Sequence, residues 1–180
     1  MKKDFEIEYS DKKEIVNQEL LQFETTKNHY FKIIVSKNDE YQYGTVTGIN
    51  IYEKRTDRLL QTFDLECEFS SYGNVSVDDY NFDAIEDFSV YEAGYAGPNT
   101  SSIYFLKHPN KNSYFESEIS GISLSFDSKT KTINEHNQCC AGTSHISTTY
   151  KLVNNKMILL KQVCEQYDEE TEQLEIVPCD

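Results

Sequence analysis

From Tyr30 onward the chain is a succession of short apolar and polar alternations, each closed by turn-forming residues. This pattern constrains the fold more than any other feature. A strand places successive side chains on opposite faces, so a period of two reads as a half-buried strand. Tyr30-Phe31-Lys32-Ile33-Ile34-Val35 is one such run, closed by Ser36-Lys37-Asn38-Asp39. Val46 to Tyr52 and Leu59 to Phe63 flank the turn Lys54 to Arg58, and Ser102 to Leu106 is followed by the turn Lys107 to Asn112 and the return at Tyr114. Ile122 to Phe126, Thr130 to Ile133, Ser144 to Leu152, Met157 to Val163 and Leu174 to Val177 continue the pattern. Asn154-Asn155 suits a two-residue turn because Asn tolerates positive φ. Roughly a dozen short strands predict an all-β sandwich, barrel or propeller. Residues 1–25 read as a lead-in, and 26–180 as a single β domain. Within the lead-in, Asp11-Lys12-Lys13-Glu14 resembles a capping box ahead of Ile15, Val16, Leu20 and Leu21, which permits a short helix.

One turn stands apart. Asp79-Tyr80-Asn81-Phe82-Asp83-Ala84-Ile85-Glu86-Asp87 places oxygen side chains at relative positions 1, 3, 5 and 9. A hard cation such as Ca²⁺ takes about 6–8 oxygens, and this spacing aims several at one point. Asp79, Asn81, Asp83 and Asp87 are the side-chain candidates, with the backbone carbonyl of Ile85 between them. The twelfth position is Val90, not the Glu of an EF-hand, and the flanks Asn74 to Val77 and Phe88 to Tyr91 are strand-like. The sixth position normally carries Gly in a left-handed conformation; here it is Ala84, at a cost of about 1–2 kcal/mol.

The 180 residues carry a formal net charge of −14, from 31 acidic against 17 basic residues. Such a field repels phosphate backbones, which argues against nucleic acid, and attracts basic proteins. No apolar run is long enough to predict a membrane-spanning helix. G-x-S-x-G, H-E-x-x-H and P-loop motifs are missing from the sequence, so no catalytic residues are assigned.

Of the five cysteines, Cys67, Cys139, Cys140, Cys164 and Cys179, no two form a C-x-x-C. The expectation is disulfide bonding in an oxidising compartment with one thiol left over. Pairing across the Asn154-Asn155 hairpin sets Cys164 roughly opposite His145, which predicts a bridge from Cys139 or Cys140 to Cys164 or Cys179. The segment Met1 to Glu6 has no signal-type apolar region, which leaves two readings: a cytosolic chain with reduced thiols, or, the favoured one, a periplasmic or extracytoplasmic chain whose export leader, which could carry a lipid anchor, was trimmed.

The acidic loop resembles the FG-GAP calcium loop of integrin-type propellers. The wider run resembles a bacterial family of periplasmic, propeller-like lysozyme inhibitors that serve as immunity proteins. The residues carrying this likeness are Asp79 to Asp83, Asp87-Phe88, a Gly/Asn loop, Ile103 to Leu106, Phe126-Asp127, Lys131 to Ile133, Tyr150 to Leu152 and Asn155 to Met157. The resemblance implies a small or incomplete propeller, bound Ca²⁺, and an inhibitor of a lysozyme-like peptidoglycan hydrolase or secreted effector, not an enzyme. Glu92, Tyr95 and Asn99, on the Gly/Pro-rich loop Glu92 to Thr100, are then the candidate partner-binding residues. The alternative is a calcium-dependent glycan-binding module or glycan-acting enzyme.

Overall fold

The computed structural model describes residues 16–37 and 44–179. Among the described residues thirteen strands form three antiparallel sheets, each a meander in chain order, and one 3₁₀ turn joins two strands of the third. The first contains β1 (Val16–Leu21), β2 (His29–Lys37), β3 (Thr45–Glu53) and β4 (Arg58–Glu68). The second contains β5 (Val75–Asp78), β6 (Asp87–Gly94), β7 (Thr100–Lys107) and β8 (Tyr114–Glu116). The third runs β9 (Ser125–Asp127), β10 (Thr132–Cys139), β11 (Ser144–Val153), β12 (Lys156–Asp168) and β13 (Gln173–Val177). The all-β expectation holds; the finding is three stacked sheets, with no ring closure among the described residues.

Stacking follows from the two faces of the second sheet. Phe88, Val90 and Phe105 point toward the first sheet and join Phe31, Ile33, Val46, Ile49 and Ile51 in one core. Tyr104 and Leu106 point the other way and join Ile133, Phe126 and Tyr150 of the third sheet in another. Phe88 and Phe105 stack at 4.7 Å, held between Phe31 at 4.6 Å and Phe63 at 4.6 Å. Burying each such ring contributes about 1.5–3 kcal/mol, and each well-placed aromatic pair adds about 0.5–1.5 kcal/mol.

Local chemistry sets the turns. Asn154 and Asn155 take φ of 52° and 60°, the mirror-image turn that matches strand twist. The lead-in departs from expectation. Asp11 to Ile15 lie outside the described residues, and Val16–Leu21 is an edge strand paired with β2, not a helix. Adjacent Leu20 and Leu21 show the consequence: in a strand they face opposite sides, Leu20 against the core and Leu21 exposed, and pairing with β2 decides between the two readings. Ile122 to Leu124 precede the shorter strand Ser125–Asp127.

Phe105 is fully buried at the centre of the aromatic stack. Phe105→Ala should therefore lower the unfolding free energy by about 3–5 kcal/mol, measured by denaturant titration with an unchanged slope. A loss below the size of a surface substitution would show that the two sheets do not pack through this stack.

Candidate functional site

The acidic turn links β5 to β6. Its two aromatic positions turn inward: Tyr80 packs at 4.9 Å from Tyr104 and 4.8 Å from Phe126, while Phe82 lies 6.3 Å from Phe126. Asp79, Asn81 and Asp83, which alternate with them, hold oxygens. Asp79 Oδ1 accepts the Asp83 amide at 2.9 Å and Oδ2 accepts the Ala84 amide at 2.8 Å. Asn81 Oδ1 accepts the same Asp83 amide at 3.2 Å, and Asp83 Oδ1 accepts the Ile85 amide at 2.8 Å. Asn81 Nδ2 donates to Asp83 Oδ2 at 3.1 Å. Ala84 does take the left-handed conformation expected of it, at φ 66°. The hydrogen bond from its backbone N–H to Asp79 Oδ2 holds it there.

Asp79, Asn81 and Asp83 thus converge, and each carboxylate oxygen keeps a lone pair beyond the amide it accepts. In kind the donors fit a hard cation: oxygens only, on a loop that turns as such loops turn. Asp87 is placed differently. It is fully buried, with Oδ2 accepting the Tyr80 amide at 3.0 Å and Oδ1 accepting the Lys107 amide at 2.7 Å. It ties the turn to β7. Among the described residues no three His, Cys, Asp or Glu side chains gather as a ligand set. That agrees with two convergent carboxylates and one amide, with the third carboxylate acting as a strut.

The turn touches all three sheets. Glu86 Oε2 accepts the Lys27 amide at 2.6 Å from the β1–β2 connection, and Lys131 Nζ donates to the Phe82 carbonyl at 3.3 Å from the start of β10. Beside it His29, which as an isolated residue reads as a surface group, is buried. Asn112 Oδ1, which also accepts from Lys107 Nζ, lies 2.9 Å from His29 Nε2, so Nε2 carries the proton and Nδ1 accepts from Tyr114 Oη at 2.9 Å. Burial, then the Lys107 charge, lowers the His29 pKa and favours this neutral form.

The Gly/Pro loop gives its three candidates different roles. Tyr95 is 52% exposed, its Oη sharing a hydrogen bond with Ser101 Oγ at 3.2 Å, and its amide donates to the Asn99 carbonyl at 2.9 Å. Asn99 is buried and faces β10, not solvent. Its Nδ2 donates to the Gln138 carbonyl at 2.6 Å and to Asn137 Oδ1 at 3.1 Å, and its Oδ1 accepts the Gln138 amide at 3.1 Å. Asn99 therefore braces the loop. Glu92 and Tyr95 line a cleft of about 610 Å³ that also receives Glu66 and Glu68 from β4. The sequence reading missed these two glutamates, although Glu66-Cys67-Glu68 alternates as a strand edge should. Glu68 Oε2 also accepts the Gly94 amide at 3.0 Å. Cys67, buried under the cleft, has its thiol pushed up to about 11 by burial and then by the Glu92 charge.

The cysteines require a correction. Cys164 is bonded to Cys179, with Cα atoms 5.4 Å apart, while Cys67, Cys139 and Cys140 are free. A bulge between Thr149 and Tyr150 moves the hairpin register by one, so Cys164 faces Ile146 on one side and Val177 on the other. The β13 strand thus brings Cys179 to Cys164, whereas Cys139 pairs with Ser144, which faces Gln166.

Desolvation raises the Asp87 carboxyl from 3.8 to about 7; the Lys107 and Tyr80 amides oppose the shift, and the Asp83 and Asp79 charges add to it. The folded state therefore holds a proton that the unfolded chain releases. This contribution is fully present below the unfolded value and lost as pH rises through the folded one. In chelator-treated protein, stability should fall between about pH 4 and pH 7, and Asp87→Asn should flatten that slope. Equal slopes for both proteins in denaturant titrations across this window would contradict the assignment.

No protein-family model and no curated protein matches the sequence. The fold is similar to that of a Xanthomonas type IV secretion system related protein, with a TM-score of 0.62 at 13% identity over 92% of this chain and 98% of that one.

Proposed function

We propose that this chain binds and blocks a lysozyme-like peptidoglycan hydrolase in the cell envelope, acting as an inhibitor or immunity protein and not as an enzyme. The observation that carries the reading is the acidic cleft edged by Tyr95, in which Glu66 and Glu68 stand on one sheet and Glu92 on the sheet packed against it. A cationic enzyme is steered toward such a surface, and the net charge of −14 extends that field. The loop beside it is ordered in advance, since Asn99 and Glu68 hold its two ends. Pre-ordering reduces the entropy lost on binding. Tyr95 offers a large contact area with few rotors. The fold likeness to a type IV secretion system related protein supports an effector–immunity setting. The Cys164–Cys179 disulfide supports an extracytoplasmic one. The stacked meander sheets serve, in this reading, as an incomplete propeller. Ca²⁺ would be held by Asp79, Asn81 and Asp83 with the Ile85 carbonyl, and would stiffen the turn joining the three sheets.

Inhibition of cell-wall lysis by a panel of cationic lysozyme-fold enzymes tests the function. Wild-type protein should inhibit at least one at micromolar concentration, less strongly as salt rises. Tyr95→Ala should weaken binding by about 2 kcal/mol or more if it is the central anchor. No inhibition by folded wild type across the panel rejects the function, and undiminished affinity of Tyr95→Ala rejects only that residue.

Calcium is tested separately on metal-stripped protein. At a hundredfold excess over Kd it should stabilise by about 2.7 kcal/mol, and Asp83→Ala should erase the gain. Identical melting curves with calcium and with chelator would remove the metal from the proposal.

A further inference from the structure

The two adjacent cysteines have no part in the reading above. Their sulfurs lie 2.7 Å apart, and both residues are exposed. Neither is needed by another cysteine, since Cys164 and Cys179 pair with each other and Cys67 is buried.

The backbone around them is restrained on both sides. Before the pair, Asn99 makes hydrogen bonds to both the amide and the carbonyl of Gln138. After it, Thr143 Oγ1 donates to the Cys140 carbonyl at 2.7 Å, His145 Nε2 to the Gly142 carbonyl at 3.0 Å, and the Tyr167 amide to the Thr143 carbonyl at 2.7 Å. Between these anchors Cys140 and Ala141 both take left-handed conformations, at φ 58° and 57°. Neighbouring non-glycine residues hold that conformation only where the surroundings impose it. The result of the restraint is that two sulfurs adjacent in sequence are brought together.

We propose that Cys139 and Cys140 form a vicinal dithiol that closes to a ring disulfide by exchange with an oxidised dithiol–disulfide oxidoreductase. One sulfur, as its thiolate, attacks the donor disulfide, forms a mixed disulfide and expels the first donor thiol. The second sulfur, having released its proton, attacks the mixed disulfide at the protein sulfur and expels the other donor thiol. One S–S bond forms within the chain and one breaks in the donor. Two electrons pass to the donor, and the two protons released by the cysteines end on its thiols. Closure pins the turn at the point where Asn99 braces the loop carrying Tyr95. The reduced pair is also a two-thiol site for a trivalent arsenical, which binds adjacent thiolates.

The test is peptide mapping of wild-type protein exposed to an oxidised dithiol oxidoreductase, then unfolded in iodoacetamide without reductant. Cys139 and Cys140 should both escape alkylation, on a peptide that carries an internal disulfide and gains both labels only after reduction. Reduced protein should bind phenylarsine oxide and then resist closure. Cys139→Ser and Cys140→Ser should each lose arsenical binding and leave the remaining cysteine of the pair open to alkylation. Full labelling of both sulfurs while Cys164–Cys179 stays intact would overturn the proposal. So would finding either sulfur joined to Cys67, Cys164, Cys179 or a second chain. The wild-type mapping decides the matter even where a serine variant folds poorly.

Discussion

The fold depends on the burial of β7 on both of its faces. Ile103 and Phe105 enter the core shared with the first sheet, while Tyr104 and Leu106 enter the core shared with the third. A strand with one wet face needs only one partner layer; this one requires two. Each meander therefore forms by local hairpins, but the middle one acquires a complete environment only after both neighbours have docked. Tyr hydroxyls make this possible without leaving polar atoms stranded. Tyr80 Oη, for example, shares a hydrogen bond with Ser89 Oγ at 2.9 Å inside the second core.

The acidic turn is where that three-layer arrangement is tied together. Its aromatic positions enter the second core, its last two carboxylates bind amides of the β1–β2 connection and of the second sheet, and Lys131 reaches it from the turn leading into β10 of the third. Burying Asp87 is unfavourable for its charge, and two amide donors offset only part of that cost. A carboxylate in this position makes sense as a connector, because one group satisfies two amides that strand pairing leaves free. The same turn carries three further oxygen-bearing side chains, Asp79, Asn81 and Asp83, so structural tie and cation-type donor set share one short segment.

A second brace lies on another part of the structure. Asn99 joins the Gly/Pro loop to β10, and the adjoining residues lead directly into the cysteine pair. The acidic cleft, the exposed Tyr95 and the vicinal thiols are therefore mechanically connected. An interface built here rests on β-sheet on both sides and gains its order before any partner arrives.

Much of this was determined locally. Period-two patterning identified most strands, and Asn154-Asn155 and Ala84 adopt the positive φ that their positions imply. The spacing of Asp79, Asn81 and Asp83 likewise gathers them in one turn, because a few residues of chain suffice to do so. What the sequence left open depends on contacts distant along the chain. Val16–Leu21 became a strand because β2 offered it an edge. Cys164 met Cys179 because a single bulge moved the register and β13 supplied the neighbour. Asn99 became a brace through Gln138, and His29 was buried through Tyr114, partners that no local pattern joins. Alternation determines which face a side chain occupies; only docking of the sheets determines what that face meets, and so whether a polar residue becomes a ligand, a strut or a buried support.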